Sequence, residues 1–516
     1  MLFNSIDFLL IFLPCTLLLY YVLGKVEGPY ARIWLCVASI VFYGWLNPGL
    51  VIILAVSVLF NFGISLLITS QKERRQQNLF LTVGVVGNLG ALFYYKYAHW
   101  VLTVLADLGL HAGPLGQIVL PLGISFFTFT QIGYLLDCRD GLAKNRTFVD
   151  YVLFVTFFPH LIAGPILHHR DVMPQLTNPA IYRFSHKNFS IGLMIFFAGM
   201  FKKTVIADNI SMIADAGFQS AGTAGFGASW ISVLAYALQL YFDFSGYSDM
   251  AIGLAIMFNI RFPLNFNSPY KARNIVEFWQ RWHMTLTSYL NAYLYNPISI
   301  RLSRAVMERR PNEKNPLATW YGFLLTIAVP TIWTMVLAGV WHGAGGKYLI
   351  FGALHATYIV VYRRWSPYGT KRRKKLVSPM ARAADLWSAR IITLICVAVA
   401  DIFFRADSIS QALSLLAGMV GLHPGDLAFQ LQGTGVLWHA WLELLVLIGL
   451  FAVVWTAPNI YQMLGESSPA IGKVEAVKDG LLRWQPTLFW AAATGVVGAT
   501  AVIAIGGASP FLYFQF

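Results

Sequence analysis

Stretches of about twenty apolar residues recur along this whole chain, separated by short and mostly basic connections, and each is long enough to cross a bilayer as one helix. The runs fall near 6–24, 31–46, 48–69, 78–106, 117–136, 150–167, 189–209, 228–260, 318–340, 347–362, 386–404, 440–462 and 487–507. Of the 516 residues, 57% are hydrophobic and 12% charged, against about a quarter charged in soluble domains. Aromatic clusters such as LYYVLG, FYGWLN and ALFYYKYAHW flank the runs, as an interfacial belt requires. This pattern predicts an all-α polytopic membrane protein with about 11–13 transmembrane helices plus re-entrant segments, as one membrane domain over 1–516. The N-terminus carries no basic region and no small-residue cleavage pattern, so 6–24 reads as a retained first helix.

The formal charge of +14 is concentrated in loops, densest at RRW (363–365) and KRRKK (371–375). The positive-inside tendency accounts for this more simply than a nucleic-acid partner, with phosphates of a cytosolic cofactor as a second user of the charge. QKERRQQ (71–77), CRDGLAKNR (138–146), RLSRAVMERRPNEK (301–314) and 363–382 are placed inside, and keeping both 138–146 and 168–187 inside requires 150–167 to dip in and return. That run contains FFPHLIAGP, where Pro159, Gly164 and Pro165 break a short helix. Irregular backbone at membrane depth is tolerated only in a protein interior or along a cavity. The amphipathic stretch 284–300 reads as re-entrant on the same grounds. Cys15, Cys36, Cys138 and Cys396 lie far apart with no CxxC or Cys/His spacing, which supports neither a disulfide framework nor a metal site.

Two histidine motifs carry the chemistry: FWQRWH, ending at His283, and WHG, containing His342. An ionisable group at membrane depth is a functional candidate by default, and a histidine can take a proton from an attacking hydroxyl near neutral pH. A lone histidine is more often a satisfied core group, but two beside tryptophan shift the balance toward chemistry. Gly343, Gly345 and Gly346 after His342 allow a helix or ligand to approach closely. His355 is a weaker candidate, by default a helix–helix polar contact. YFDFSGYSD (241–249) puts Asp243, Ser245, Ser248 and Asp249 in an apolar run, where the acids must pair with a buried Arg or backbone donors. Lys271, Arg273 and Arg281, in the segment 261–295 with Asn267, can hold cofactor phosphates or sit at the lipid surface beside Trp279 and Trp282. No HExxH, G-x-S-x-G, Walker or G-x-G-x-x-G pattern occurs, which removes the usual support for hydrolase, kinase and dehydrogenase readings.

LPLGISFFTFTQIGYLLD (120–137), FFPHLIAGP (157–165), GMFKKTVIADNI (199–210), YFDFSGYSDMAIGLA (241–255), FWQRWH and WHG resemble, in order, the membrane-bound O-acyltransferase family. The likeness covers about 1–365, is nearest to the bacterial alginate O-acetyltransferase branch, and is looser over the helices at 386–507. It implies a fold around a central tunnel, in a multi-pass protein of the bacterial cytoplasmic membrane, with catalytic His342 and His283 and a further tunnel candidate at His160. Asp243, Ser245, Asp249 and Asn267 would join the tunnel. Lys202, Lys203, Lys271, Arg273, Arg281 and Trp282 would bind the donor, acetyl-CoA, with no metal. Gln280 and Asn291-Ala292 stand where the family usually has Arg and Arg-Asp. The expected activity is acetyl transfer from cytoplasmic acetyl-CoA to an extracellular or envelope polysaccharide, directly or through an SGNH-type partner. Transfer of D-alanine from a carrier protein is the alternative within the family. A proton-coupled transporter is the alternative outside it, though such proteins usually carry internal repeats and none is visible here.

Overall fold

The computed structural model describes residues 1–45, 47–110, 118–143, 147–424, 440–478, 480–506 and 511–512. The described residues are helical and contain no named strand, only an isolated bridge between Pro263 and Ile471. Among the described residues, five helical stretches are long and apolar enough to cross a membrane: Gly49–Ser70, Arg74–Asp107, His186–Gln219, Trp320–His342 and Pro379–Arg405. Five shorter apolar helices accompany them: Phe8–Leu23, Tyr30–Gly44, Ile409–Met419, Leu442–Thr456 and Leu488–Ile503. Residues 144–146, in one predicted inside loop, and 425–437, in the long connection at 405–437, lie outside the described residues.

The chain divides into two compact units. The first comprises Met1–Val205, Asp243–Leu264 and Ile460–Phe516; the second, Ile206–Phe242 and Asn265–Asn459. Within the first, the helix Phe148–Thr156 has nine residues, about 14 Å at 1.5 Å per residue and too short to span. Phe157 leaves helical geometry (ψ 114°), and the four-residue helix Phe158–Leu161 follows, so the predicted break at FFPHLIAGP is present. The amphipathic stretch differs from the expectation. Met284–Leu290, a π turn at Asn291–Tyr295 and Asn296–Arg309 follow one another without a break, so the helix does not turn back near 300. Amphipathicity fixes which face of a helix is wet and not where the helix ends: Pro297 falls directly after the π turn, and the helix continues past it to Arg309.

Small residues set the tightest packing. In the first unit, a Cβ on Gly199 would lie 2.5 Å from the Gly246 carbonyl oxygen, and one on Gly192 would lie 2.6 Å from that of Gly253. The two helix backbones therefore touch, the mode of association that lipid, offering no hydrophobic gain, favours. In the second unit the hairpin of Val329–His342 and Gly346–Lys374 closes similarly. Cβ atoms on Gly339 and Gly352 would meet the carbonyl oxygens of Tyr348 and Met335 at 2.3 and 2.5 Å. Gly199→Leu or Gly246→Val is expected to abolish the monodisperse peak of the detergent-extracted protein. Gly63→Ala, with nothing within 4 Å, should elute and melt like wild type in fluorescence-detected size exclusion.

Candidate active site

Both histidine motifs belong to the second unit. His342 is the last residue of Val329–His342 and is 7% exposed. Its ring is walled by Trp341, Phe404 and Phe351 at centroid separations of 4.8, 5.0 and 5.9 Å. Gly345 turns the chain back at φ +143°, a backbone region that favours glycine. Gly343 stays extended but leaves no room for a side chain, since its Cβ would lie 2.2 Å from the Tyr348 ring.

His283 is 1% exposed and sits between two short helices, Ile275–Trp279 and Met284–Leu290. Its φ of +41° is left-handed, a conformation that costs a non-glycine residue about 1–3 kcal/mol and persists where its surroundings over-determine it. The surroundings are a short extended pairing. The N–H of Met284 donates to the Asn265 carbonyl at 2.8 Å, and that of Asn267 to the Arg281 carbonyl at 2.9 Å. The Asn265 side chain, fully buried, completes it. Its Oδ1 accepts from the Thr285 hydroxyl at 2.9 Å, from the Thr285 N–H at 3.3 Å, and faces His283 Nδ1 at 3.0 Å. A backbone N–H only donates, which identifies the Asn265 atom as oxygen; His283 Nδ1 must then carry the proton, leaving the lone pair on Nε2. His283 lies outside the spanning helices, and burial pushes its pKa down to about 3, so the ring is neutral at pH 7. Trp341 links the motifs: its ring centroid is 6.4 Å from that of His283 and 4.8 Å from that of His342.

The predicted cations separate into two groups. Arg281 forms an ion pair with Glu277 at 2.9 Å and donates to the Asn267 carbonyl at 3.2 Å, while the Arg273 N–H donates to Glu277 at 2.9 Å. Lys271 donates to the Ala457 carbonyl at 2.6 Å; burial first, then the cations Arg390 and Arg281, lower its pKa. Arg390 also feels Arg273, Arg281 and Glu277. Lys271, Arg273, Arg281 and Arg390 thus form a cationic cluster, of which Arg281 is ion-paired to Glu277, in the unit that holds both histidines. Trp282 is stacked on Phe278 at 5.5 Å. Arg390 was not singled out from the sequence, where it reads as an ordinary residue at the start of an apolar run.

Lys202 and Lys203 lie in the first unit, paired with the predicted acids: Lys202 with Asp249 at 2.6 Å and Lys203 with Asp243 at 2.7 Å. The partners of the acids are therefore lysines rather than the expected Arg, delivered by a π turn at Lys202–Ala207. The Tyr461 hydroxyl adds a hydrogen bond to Asp249 at 2.8 Å, and the Leu512 N–H one to Asp243 at 3.1 Å. Ser245 and Ser248 are buried in the same helix. His160 is 3% exposed, with Nε2 2.9 Å from the Phe154 carbonyl. His355 Nδ1 accepts from the Trp279 indole at 3.2 Å, the helix–helix contact expected of it. Asn267 accepts at its side chain from Asn459 at 2.9 Å. The sequence reading picked Asn267 and missed Asn265. The alternation of an extended segment puts the two on opposite faces, and only the distance to His283 tells which one serves it.

Two histidine motifs joined through a tryptophan, one ring neutral and the other walled by aromatic side chains, in the unit that also holds the cationic cluster, suit acyl transfer to a hydroxyl. The family model for membrane-bound O-acyltransferases matches residues 37–306, which include His283. The peptidoglycan O-acetyltransferase of Helicobacter pylori is 37% identical over 450 residues, covering 82% of this chain and 80% of its own. The probable alginate O-acetylase AlgI of Pseudomonas aeruginosa is 35% identical, over 81% of this chain and 75% of its own. The teichoic acid D-alanyltransferase of Bacillus subtilis is 28% identical over 48% of this chain. The chain belongs to the membrane-bound O-acyltransferase family: it is a multi-pass membrane enzyme of the O-acyltransferase class.

Replacing Asn265 by Ala removes the acceptor of three donors and releases His283 from its left-handed turn. Turnover is expected to fall by about a hundredfold, the cost of misplacing a reacting group by an ångström. The neutral His283 also sets a pH dependence. The folded protein leaves it unprotonated where the unfolded chain, near 6.5, takes up a proton. Its contribution to stability is full above about 6.5 and declines as pH falls toward about 3. His283→Gln should flatten this part of the melting-temperature profile between pH 7 and 4.

Proposed function

We propose that the chain transfers an acetyl group from acetyl-CoA on the cytoplasmic side to the far side of a bacterial cytoplasmic membrane, for O-acetylation of an envelope or extracellular polysaccharide. The observation that carries this reading is the pairing of His342 and His283 across Trp341. The Helicobacter pylori and Pseudomonas aeruginosa relatives, each aligned over more than 80% of this chain, are named for acetylation of glycans, whereas the D-alanyl relative aligns with about half, which favours acetyl.

In this reading the acceptor hydroxyl oxygen attacks the thioester carbonyl carbon while His342 takes its proton. The C–S bond breaks, the electron pair leaves with sulfur, and the proton passes to the thiolate to give CoA-SH. The aromatic walls of His342 keep water from competing for the thioester. His283, neutral with its lone pair on Nε2, is suited to accept a hydrogen bond from a substrate and orient it, a lighter task than accepting the proton. The cluster of Lys271, Arg273, Arg281 and Arg390 supplies the charge to hold the donor's phosphates. A polymer acceptor needs a surface outside the membrane, and the connection near 405–437 is shorter than the about 50 residues of a small domain. An SGNH-type partner that takes the acetyl group before the sugar would supply that surface.

His342→Ala should reduce acetyl transfer from radiolabelled acetyl-CoA by a factor of about 10² to 10⁴ without changing extracted size or melting. Activity within a few-fold of wild type would remove His342 from the chemistry. Lys271→Gln with Arg273→Gln should raise the apparent acetyl-CoA constant more than it lowers maximal rate, and salt should mimic the change. Purified chain in vesicles, with acetyl-CoA inside and polysaccharide outside, tests the relay: efficient polymer acetylation without a second protein would refute it.

A further inference from the structure

A cavity of about 850 Å³ opens in the first unit, between the start of the helix His186–Phe201 and the connection that leads into the helix Leu488–Ile503. These helices pack in parallel. A Cβ on Gly498 would lie 2.8 Å from the Phe197 ring, and further along both stretches the Thr204 hydroxyl donates to the Ala501 carbonyl at 3.0 Å. They therefore begin at the same depth, on the side where the positive-inside tendency puts 168–187. His186, Lys187 and Ser190 line the cavity from the first helix, and Glu466, Arg483 and Trp484 line it from the connection. The connection is held in place by its own hydrogen bonds. The Val477 N–H donates to the Gln462 carbonyl at 2.9 Å, the Trp484 N–H to the Met463 carbonyl at 3.0 Å, and the Trp490 indole to the Arg483 carbonyl at 3.1 Å. The charges of the lining do not balance. Glu466 is its one carboxylate, and both oxygens are taken by Arg483 at 2.7 Å. Lys187 has neither an ion pair nor a hydrogen bond among the described residues, so a cation is left over. The margin, by contrast, is apolar. Leu481, Leu482, Leu488 and Phe489 flank the lining segment Arg483–Thr487, and all four are exposed, Leu481 at 85% and Leu488 at 89%.

We infer that this cavity holds the headgroup of an anionic phospholipid, with the phosphate at Lys187 and the acyl chains along Leu481, Leu482, Leu488 and Phe489. Basic pockets between transmembrane helices on the cytoplasmic side take such headgroups. Two observations select this ligand. The apolar margin selects a lipid over a soluble phosphate compound. Each exposed Leu or Phe gains about 1.5–3 kcal/mol on leaving water, and acyl chains supply that cover where a small anion cannot. The leftover cation selects a net negative headgroup over a zwitterionic one. A phosphate finds Lys187 unmatched, whereas the ammonium of an ethanolamine headgroup would find the one carboxylate already committed to Arg483. Lys187 and Ser190 are three residues apart and share one helix face, so the hydroxyl is placed to donate to the same phosphate as the ammonium. A lipid seated there touches the helix start and the connection together, and so ties the stability of this unit to the composition of the membrane.

The test is a lipid titration of the detergent-extracted full-length chain, read by native mass spectrometry, with phosphatidylglycerol, phosphatidylethanolamine, phosphatidylcholine and glycerol 3-phosphate as probes. One phosphatidylglycerol should bind more tightly than those that follow it, and neither zwitterionic lipid nor glycerol 3-phosphate should displace it. Lys187→Gln should weaken that first site by about fivefold, the worth of one basic side chain beside an anionic lipid, and leave the later sites unmoved. Lys374→Gln with Lys375→Gln, in the separate basic stretch 371–375, should do the reverse. Phosphatidylglycerol should also raise the melting temperature of wild type and not that of Lys187→Gln, with the two equal when no lipid is added. Should Lys187→Gln fail to fold, Ser190→Phe, which fills the cavity from the same helix face, carries the same comparison. A first site that Lys187→Gln leaves unmoved, or that the zwitterionic lipids occupy equally well, overturns the assignment. Displacement of the lipid by glycerol 3-phosphate overturns it too, in favour of a soluble phosphate ligand.

Discussion

One carboxamide oxygen organises the FWQRWH motif. Asn265 Oδ1 gathers a hydroxyl, a backbone N–H and an imidazole N–H from residues 283–285. In a dry interior such convergence fixes geometry more firmly than any one bond, because each donor released there would lose its partner without gaining water. The left-handed backbone at His283, its tautomer and the direction of its lone pair all follow. So does the adjoining helix, whose first residue begins one step after the strained turn. His342 is placed by different means, at a helix end held by the glycine contact of a hairpin and by aromatic walls. One histidine is fixed by polar convergence and the other by packing, which suits a pair with unequal tasks.

The first unit solves a related problem with full charges. Asp243 and Asp249 would be prohibitively costly alone at low dielectric, and each is matched by its own lysine and by one further donor. Such pairs add little net stability compared with apolar packing, but breaking one leaves a charge stranded. Their value is in register. Two adjacent lysines on a π turn accept only one alignment of the helix that carries the acids, and the Gly199–Gly246 contact permits the approach that alignment needs.

Much of this was legible in the sequence. Apolar runs gave the membrane class and most spans, and proline and glycine marked the break at FFPHLIAGP. Both histidines could be named from their rarity in apolar context. What the sequence withheld was pairing. Nothing local says that Lys202 and Lys203 meet Asp249 and Asp243 rather than a ligand, since charge alone serves either. Asn265 and Asn267 look alike until the extended pairing assigns one to His283. Arg390 joins the cationic cluster across more than a hundred residues of sequence. The stretch at 284–300 misled because amphipathicity describes a face, whereas re-entry is a property of how the helix ends, and this one continues to Arg309.

The bond from the Leu512 N–H to Asp243 bears on how the protein is made. Its donor and acceptor are 269 residues apart. At about 5–20 residues per second, a ribosome needs some 15–50 s to travel from one to the other. Throughout that interval the carboxylate is in the nascent chain with its lysine but without its second donor. The insertion machinery must therefore hold a polar, half-matched helix in contact with water or with itself for most of a minute. Slowing synthesis late in the message would prolong that exposure and divert chains to membrane proteases, with no change in the sequence of the finished protein.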